Sequence, residues 1–92
     1  MPYYVITYDV RARNHDYTGL NGCMAQWKAA HLQNSVWLAD LVGPASTIRD
    51  ILKFHMHPDD TVCVIQIFQN SDWATSWART TGTNWLLPRC KA

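Results

Sequence analysis

The chain opens with an unbroken run of strand-forming, largely apolar residues at positions 3–8, and Asp9 follows it directly. A strand that is apolar on both sides is typical of the centre of a sheet whose two faces are covered. The pattern therefore predicts a central strand over 3–9. Asp9 then lies at the carboxyl end of that strand.

A helical pattern follows after a polar loop. Apolar or aromatic residues recur three and four positions apart and predict a helix from Tyr17 to about Ala30. The stripe consists of Tyr17, Leu20, Met24, Trp27 and His31. Asp16 stands where a helix N-cap is expected, because its side chain can accept hydrogen bonds from the first free amides.

The middle of the chain predicts a split strand and a second helix. Segment 32–41 is rich in strand-forming residues and is long enough for one bent strand or two short paired strands. Gly43-Pro44 ends it, and proline suits the first turn of a helix. The helix that follows has its apolar face at Ala45, Ile48, Leu52 and Met56, with Ile51 beside it. Pro58 stops it, since the residue before a proline disfavours the helical conformation.

The last predicted strand covers 61–68, after a turn at Asp59 and Asp60. The pattern of the tail is less regular. Trp73 and Trp77 lie four positions apart, which favours a helical turn, and segment 85–87 fits either a short helix or a closing strand.

The predicted order is strand, helix, two strands, helix and strand, which is the ferredoxin-like βαββαβ arrangement. In this α+β fold two helices cover one face of an antiparallel sheet. The tail tryptophans or a second copy of the chain must cover the other face. We expect one domain over 1–92, with a core of about 3–68 and an aromatic extension of about 69–92. This domain is expected to dimerise through the side of its sheet.

Composition supports association of the chain with itself. Hydrophobic residues make up 48% of the 92 positions and charged residues only 16%, more apolar surface than one small core readily buries. A symmetric dimer is the commonest result. The net charge is +1, so binding of phosphate requires a local cluster of cations or charges pooled from two copies.

The chain shows no secretory leader and no run of eighteen apolar residues. We therefore expect a cytoplasmic protein without a membrane partner. Its three cysteines are widely separated, with neither the spacing of a zinc site nor that of a secreted disulfide framework.

Candidate chemistry is concentrated just after the first strand, where Arg11, Arg13 and His15 follow Asp9. Mg²⁺ or Mn²⁺ takes oxygen ligands, and Mg²⁺ keeps several waters, so one or two carboxylates suffice. Guanidinium groups bind phosphates in a bidentate manner, and a histidine can transfer a proton near neutral pH. The pattern predicts a metal ligand at Asp9, with nucleic-acid-binding residues in the loop that follows.

Two short motifs give the chain a resemblance to a known family. Tyr8–Val10 closes the first strand. Gln33–Trp37 fits the pattern of glutamine, any residue, serine, valine and an aromatic residue. In these motifs the chain resembles the small CRISPR-associated protein two family and its relative, the virulence-associated protein D group. The resemblance extends over roughly Tyr3 to Phe68, about three quarters of the chain.

The resemblance implies a ferredoxin-like homodimer. Members of the family are metal-dependent nucleases on RNA or DNA, or non-catalytic scaffolds. The metal-site aspartate of the family falls on Asp9, and the serine of its middle motif falls on Ser35, which we take as the second catalytic candidate. The loop 10–16 and the tryptophan-rich last twenty residues depart from the family pattern and indicate a divergent branch.

Two functional hypotheses follow. The first is a homodimeric endonuclease, or phosphodiesterase, in which Asp9 from each copy holds Mg²⁺ or Mn²⁺ at the dimer axis. The second is a non-catalytic homodimeric scaffold or binding module for nucleic acid, a nucleotide or a protein partner. A binding module encoded by a mobile element would be one example. A protein partner would contact the C-terminal aromatic segment.

Each candidate also has an ordinary structural interpretation. An aspartate after a strand often starts a turn, and helix capping alone accounts for Asp16. Arg11, Arg13 and His15 are equally compatible with solvated loop residues. Ser35 is compatible with a strand residue that bonds a neighbouring backbone group.

The remaining aromatic and histidine residues are ambiguous in the same way. His55 and His57 form a His-x-His sequence, but they do not share a helix face and make a poor metal pair. Exposed tryptophans stack on unpaired bases or anchor protein interfaces, whereas buried ones fill a core.

Overall fold

The computed structural model describes residues 2–11 and 14–90. Within these residues there are seven elements, four strands and three helices. In chain order they are β1 (Tyr3–Asp9), α1 (Thr18–Gln26), β2 (Ala30–Gln33), β3 (Val36–Asp40), α2 (Ala45–Phe54), β4 (Thr61–Ile67) and α3 (Thr80–Arg89).

The four strands form one sheet in the order β2-β3-β1-β4. Every neighbouring pair is antiparallel, and β1 lies between β3 and β4. The segment predicted as one bent strand or two paired ones is therefore a β2–β3 hairpin. This α+β architecture is compatible with the predicted ferredoxin-like arrangement.

Strand β1 lies between β3 and β4, and its side chains are buried on one face of the sheet and partly buried on the other. Tyr4 and Ile6 point to one face, where Ile6 is 0% exposed and packs with residues of α1 and α2. Tyr3 and Val5 alternate with them and pack against the cluster that contains α3. The prediction of a central strand apolar on both sides is confirmed.

Helix α1 ends at Gln26, four residues before the predicted end, and its predicted length was wrong. Lys28 adopts a left-handed φ of 54°, and the amides of Lys28 and Ala29 donate to the carbonyls of Ala25 and Met24, at 3.1 and 2.9 Å. These are the two hydrogen bonds of a Schellman motif, which reverses the chain at a helix end. His31 consequently lies in β2, where its ring stacks on that of Trp37 at 4.0 Å between centroids.

Helix α2 follows the prediction closely. Ile48 and Leu52 are buried on the same face of the sheet as α1, together with Met56 just beyond the helix. Ile51 is more exposed, at the edge of this apolar face. Burial in the same core raises the pKa of the Cys23 thiol above its ordinary value.

The tail differs from its predicted structure. No helical turn joins Trp73 to Trp77, because the described residues from 68 to 79 are irregular and the helix begins only at Thr80. The Trp73 indole instead donates to the carbonyl of Cys90 at 3.0 Å, and the Trp85 ring meets Tyr3 edge-on at 5.5 Å. The tail therefore covers part of the second face of the sheet. This agrees with the first of the two predicted alternatives, in which the tail tryptophans rather than a second copy of the chain cover that face.

Helix α3 lies against the outer strand β2 at very short range. A Cβ atom added to Gly82 would stand 2.7 Å from the Cα of Leu32, a distance that requires the backbone to shift. An ion pair between Arg89 and Asp40, at 2.9 Å, holds the far end of the helix on β3.

The close approach predicts opposite effects for two helical glycines. Gly82→Ala should lower the free energy of unfolding by about 1–2 kcal/mol, since overpacking outweighs the better helix propensity of alanine. Gly22→Ala is the matched control because nothing lies within 4 Å of its added Cβ, and it should raise stability by about 0.5–1 kcal/mol. Urea denaturation measures both, and a stabilising Gly82→Ala would contradict the contact.

Candidate functional site

An open groove of roughly 590 Å³ lies at one end of the sheet. Three segments line it: 7–9 at the end of β1, 33–36 around the β2–β3 turn and 61–63 at the start of β4. The antiparallel register brings them together, because Thr7 stands opposite both Val36 and Cys63. We call this the Asp9 groove.

The Asp9 groove is open because α3 lies over the β2 side of the same sheet face and leaves the ends of β1 and β4 uncovered by any helix that the structure describes. Strand alternation places Thr7 and Asp9 on the side of the sheet that carries Tyr3 and Val5. Helix α3 packs on β2 and, to a smaller extent, on β3. The ends of β1 and β4 near Asp9 therefore have no helix above them among the described residues.

The carboxylate of Asp9 is available for a ligand. Asp9 is exposed and lines the groove, and within the described residues its side chain makes neither a hydrogen bond nor an ion pair. A turn-forming aspartate normally bonds a backbone amide two residues on. Within 2–11 and 14–90, nothing in the geometry of Asp9 corresponds to that structural role.

Ser35 lies in the same groove, in the turn between β2 and β3. Its carbonyl oxygen accepts a hydrogen bond from the amide of Tyr8 at 3.1 Å, which joins the turn to β1 next to Asp9. The two candidates from the sequence motifs, 26 positions apart, are thus brought into one cavity.

The nucleic-acid-binding candidates in the loop after β1 do not all lie at the groove. Arg11 is exposed, and its backbone amide donates to the Asp60 carboxylate at 2.7 Å. Arg13 lies outside the described residues. His15 does not line the groove: its Nε2 lies 3.2 Å from the carbonyl oxygen of His55, at the end of α2.

Asp16 is engaged at the start of α1. Its Oδ1 accepts hydrogen bonds from the hydroxyl of Thr18 at 2.6 Å and from the amide of Thr18 at 2.9 Å. The hydroxyl bond, followed by the amide bond, holds the pKa of the Asp16 carboxyl below its ordinary value. The N-cap of α1 is Tyr17, which makes no side-chain capping bond, so the prediction of Asp16 as the N-cap was wrong. Asp16 precedes the cap, bonds the first helical residue and does not line the groove.

Asp60 has a larger structural role than the turn predicted for it. Besides the amide of Arg11, it accepts hydrogen bonds from the Tyr17 hydroxyl at 2.5 Å and from the amide of His57 at 3.0 Å. It therefore fastens the loop after β1 to the start of β4. No local signal marks this role, because Arg11 and Tyr17 are 49 and 43 positions away.

Arg79, like Asp60, contributes to this region in a way that the sequence alone does not reveal. Its Nη2 donates to the side-chain oxygen of Asn34 at 2.9 Å, and its amide donates to the carbonyl of Leu32 at 3.0 Å. Asn34 lines the groove, so the guanidinium group lies at its rim.

The oxygen donors of the Asp9 groove suit a hard cation in kind but are few in number. One chain brings a single carboxylate, that of Asp9, to this cavity, together with neutral oxygens such as the hydroxyls of Ser35 and Thr61. The side-chain oxygen of Asn34 already accepts a hydrogen bond from Arg79. In the described part of the chain, no three histidine, cysteine or acidic side chains are grouped so as to hold a metal ion. Mg²⁺ keeps several waters and accepts one or two carboxylates, so two copies of Asp9 would complete a site.

Comparison of the chain with models of known protein families finds no matching family. Comparison with curated protein sequences likewise finds no match. Across the helices that the structure describes, none has the length and apolar character needed to cross a bilayer.

Proposed function

We propose that this chain is a homodimeric, Mg²⁺-dependent phosphodiesterase of the cytoplasm that cleaves RNA or DNA at the Asp9 groove. The observation that carries the proposal is the carboxylate of Asp9, exposed at the tip of the central strand and free of partners among the described residues. The motif resemblance at Tyr8–Val10 and Gln33–Trp37 supports the same assignment.

A second copy supplies what one chain lacks. A twofold axis beside the groove would place two Asp9 side chains opposite each other, giving two carboxylates from a single sequence position. Cys63 and Ile65 are exposed on the same side of β4, and apolar surface therefore adjoins the groove. Burial of such surface favours association of two chains.

The roles of the groove residues follow from their chemistry. Bound Mg²⁺, or Mn²⁺, would polarise the phosphodiester and lower the pKa of an attacking water. Asp9 would hold the ion, and the Ser35 hydroxyl would donate a hydrogen bond to a phosphate oxygen. Arg11 would neutralise a neighbouring phosphate, because its side chain forms no ion pair within the described residues.

End-labelled RNA and DNA, each as single strand and duplex, provide the test of this function. With purified protein we expect cleavage in Mg²⁺ or Mn²⁺ and none in chelator. Sedimentation equilibrium should give a mass near twice the 10.6 kDa of one chain. Cleavage that continues in chelator, or an active protein that sediments as a monomer, would disprove the metal-bridged dimer.

A non-catalytic binding module is the second candidate. It is favoured by the single carboxylate that each chain brings to the groove and by the net charge of only +1. In this case the dimer would scaffold nucleic acid, capture a nucleotide, or bind a protein through its aromatic tail. Retention of nucleic acid without any cleavage in the same assay would select this function over the first.

A further inference from the structure

Trp77 differs from the other four tryptophans of the chain. Those four are at least partly buried and pack into the two apolar clusters: Trp27 and Trp37 on the side of α1 and α2, Trp73 and Trp85 on the side of α3. Trp77 has a relative exposure of 103% and a left-handed backbone φ of 61°. A bulky residue rarely adopts that conformation, so its occurrence on a fully exposed indole calls for an explanation by function.

The segment that carries Trp77 is held on both sides. Four positions earlier, the Trp73 indole donates to the carbonyl of Cys90 at 3.0 Å. Two positions later, the amide of Arg79 donates to the carbonyl of Leu32 at 3.0 Å. The exposed ring is therefore presented from a segment that is anchored to α3 and to β2.

Arg79 also fixes where this ring stands relative to the Asp9 groove. Its guanidinium group bonds the side chain of Asn34, which lines that groove. Two residues of extended chain span at most about 7 Å, so the Cα of Trp77 lies within that distance of the Cα of Arg79. The backbone of Trp77 therefore lies close to the rim of the groove.

The charge of Arg79 is not neutralised by any carboxylate in the described part of the chain, and its side chain is exposed. Among the residues that the structure describes, only a neutral amide oxygen engages the guanidinium group, at Nη2, which leaves its other N–H groups able to donate to a phosphate. An aromatic face beside an uncompensated cation is the combination with which proteins bind unpaired strands.

We propose that Trp77 and Arg79 form a binding site for single-stranded nucleic acid at the rim of the Asp9 groove. The Trp77 indole stacks on an unpaired base, and Arg79 contacts a backbone phosphate. A duplex is excluded from stacking because its base faces are covered by neighbouring pairs. That the phosphate next to the stacked base enters the Asp9 groove rests on the proposed function. The stacking of a base on Trp77 does not depend on that function.

Fluorescence anisotropy in chelator tests the site without cleavage, using a labelled single strand of about 12 nucleotides and the matching duplex. Trp77→Gly should weaken binding of the single strand about 5- to 150-fold, the range expected for loss of one stacked base. Duplex binding should stay within about twofold of wild type, because stacking makes no contribution to it. Trp77→Tyr should restore most of the affinity, since a phenol ring also stacks.

Two features of the design keep the result interpretable. Glycine accepts a positive φ without strain, so Trp77→Gly should fold, and its thermal melting temperature should match that of wild type. Phe54→Ala is the matched control, because Phe54 is an aromatic residue 84% exposed on α2 that does not line the groove, and its affinity should equal that of wild type. Arg79→Gln should reduce the slope of log affinity against log salt by about 0.7, the value for one phosphate contact on a single strand.

The outcomes separate this inference from the proposed function. Unchanged binding by Trp77→Gly overturns the stacking site and points to a protein contact for the indole. Equal losses for single strand and duplex, or no binding by wild type, overturn it as well. Binding that depends on Trp77 without any metal-dependent cleavage supports the site and removes the nuclease alone.

Discussion

Replacing Asp9 with asparagine is expected to lower the rate of metal-dependent cleavage by about a thousandfold. Asparagine keeps the shape of the side chain but removes the charge that holds a divalent cation. Loss of one preorganised electrostatic group in an active site typically costs about 100- to 1000-fold, and in a symmetric dimer the substitution removes two such groups. Single-turnover rates on a labelled strand, at saturating protein, measure the effect on the chemical step.

Asp72→Asn is the matched control for this substitution. Asp72 is also an exposed aspartate, and it lies in the segment before α3 and does not line the Asp9 groove. Its variant should cleave at the wild-type rate. Both variants should melt within about 2 °C of wild type, because exposed carboxylates without partners contribute little to stability. An Asp9→Asn protein with a tenth or more of wild-type activity would contradict the assignment.

Mixing the wild-type and Asp9→Asn chains tests whether the two copies build one site. If both Asp9 carboxylates hold the same ion, a mixed dimer is inactive, and activity should fall as the square of the wild-type fraction. If each groove acts alone, activity should fall linearly with that fraction. A linear dependence would therefore remove the shared metal site while leaving the groove as a candidate.

The largest loss of stability is expected for Ile6→Ala. Ile6 is 0% exposed at the centre of β1 and packs among the residues of α1 and α2. Truncation of a buried isoleucine to alanine costs about 2–5 kcal/mol, because transfer energy is lost and a cavity remains. A domain of this size has a free energy of unfolding of about 5–14 kcal/mol, so a large share would be lost.

Ile51→Ala is the matched control, on helix α2. Ile51 is 43% exposed and should lose less than about 1 kcal/mol. Urea denaturation followed by circular dichroism measures both variants, with equal slopes expected if only the folded state is affected. Equal losses for the two isoleucines would show that the core is not where the structure places it.

Several elements follow from local pattern alone. The apolar run of β1, the stripe of α2 and the apolar segment of β4 predicted those elements to within a few residues, because each depends on the spacing of neighbouring side chains. The end of α1 was misplaced because a lysine, Lys28, takes the left-handed position where glycine is the usual signal. Trp73 and Trp77 have helical spacing, but a bond from Trp73 to Cys90 holds the segment in another conformation.

What the sequence by itself determined is β1, α2, β4 and the first two turns of α1, together with the two candidates that motifs mark, Asp9 and Ser35. These depend on residues close together in the chain. Only the tertiary structure decided that both line one groove, that Asp60 fastens the loop after β1, and that Arg79 stands at the rim. The physical reason is distance along the chain: Arg79 and Asn34 lie 45 positions apart, and their hydrogen bond exists only after α3 has packed on the sheet.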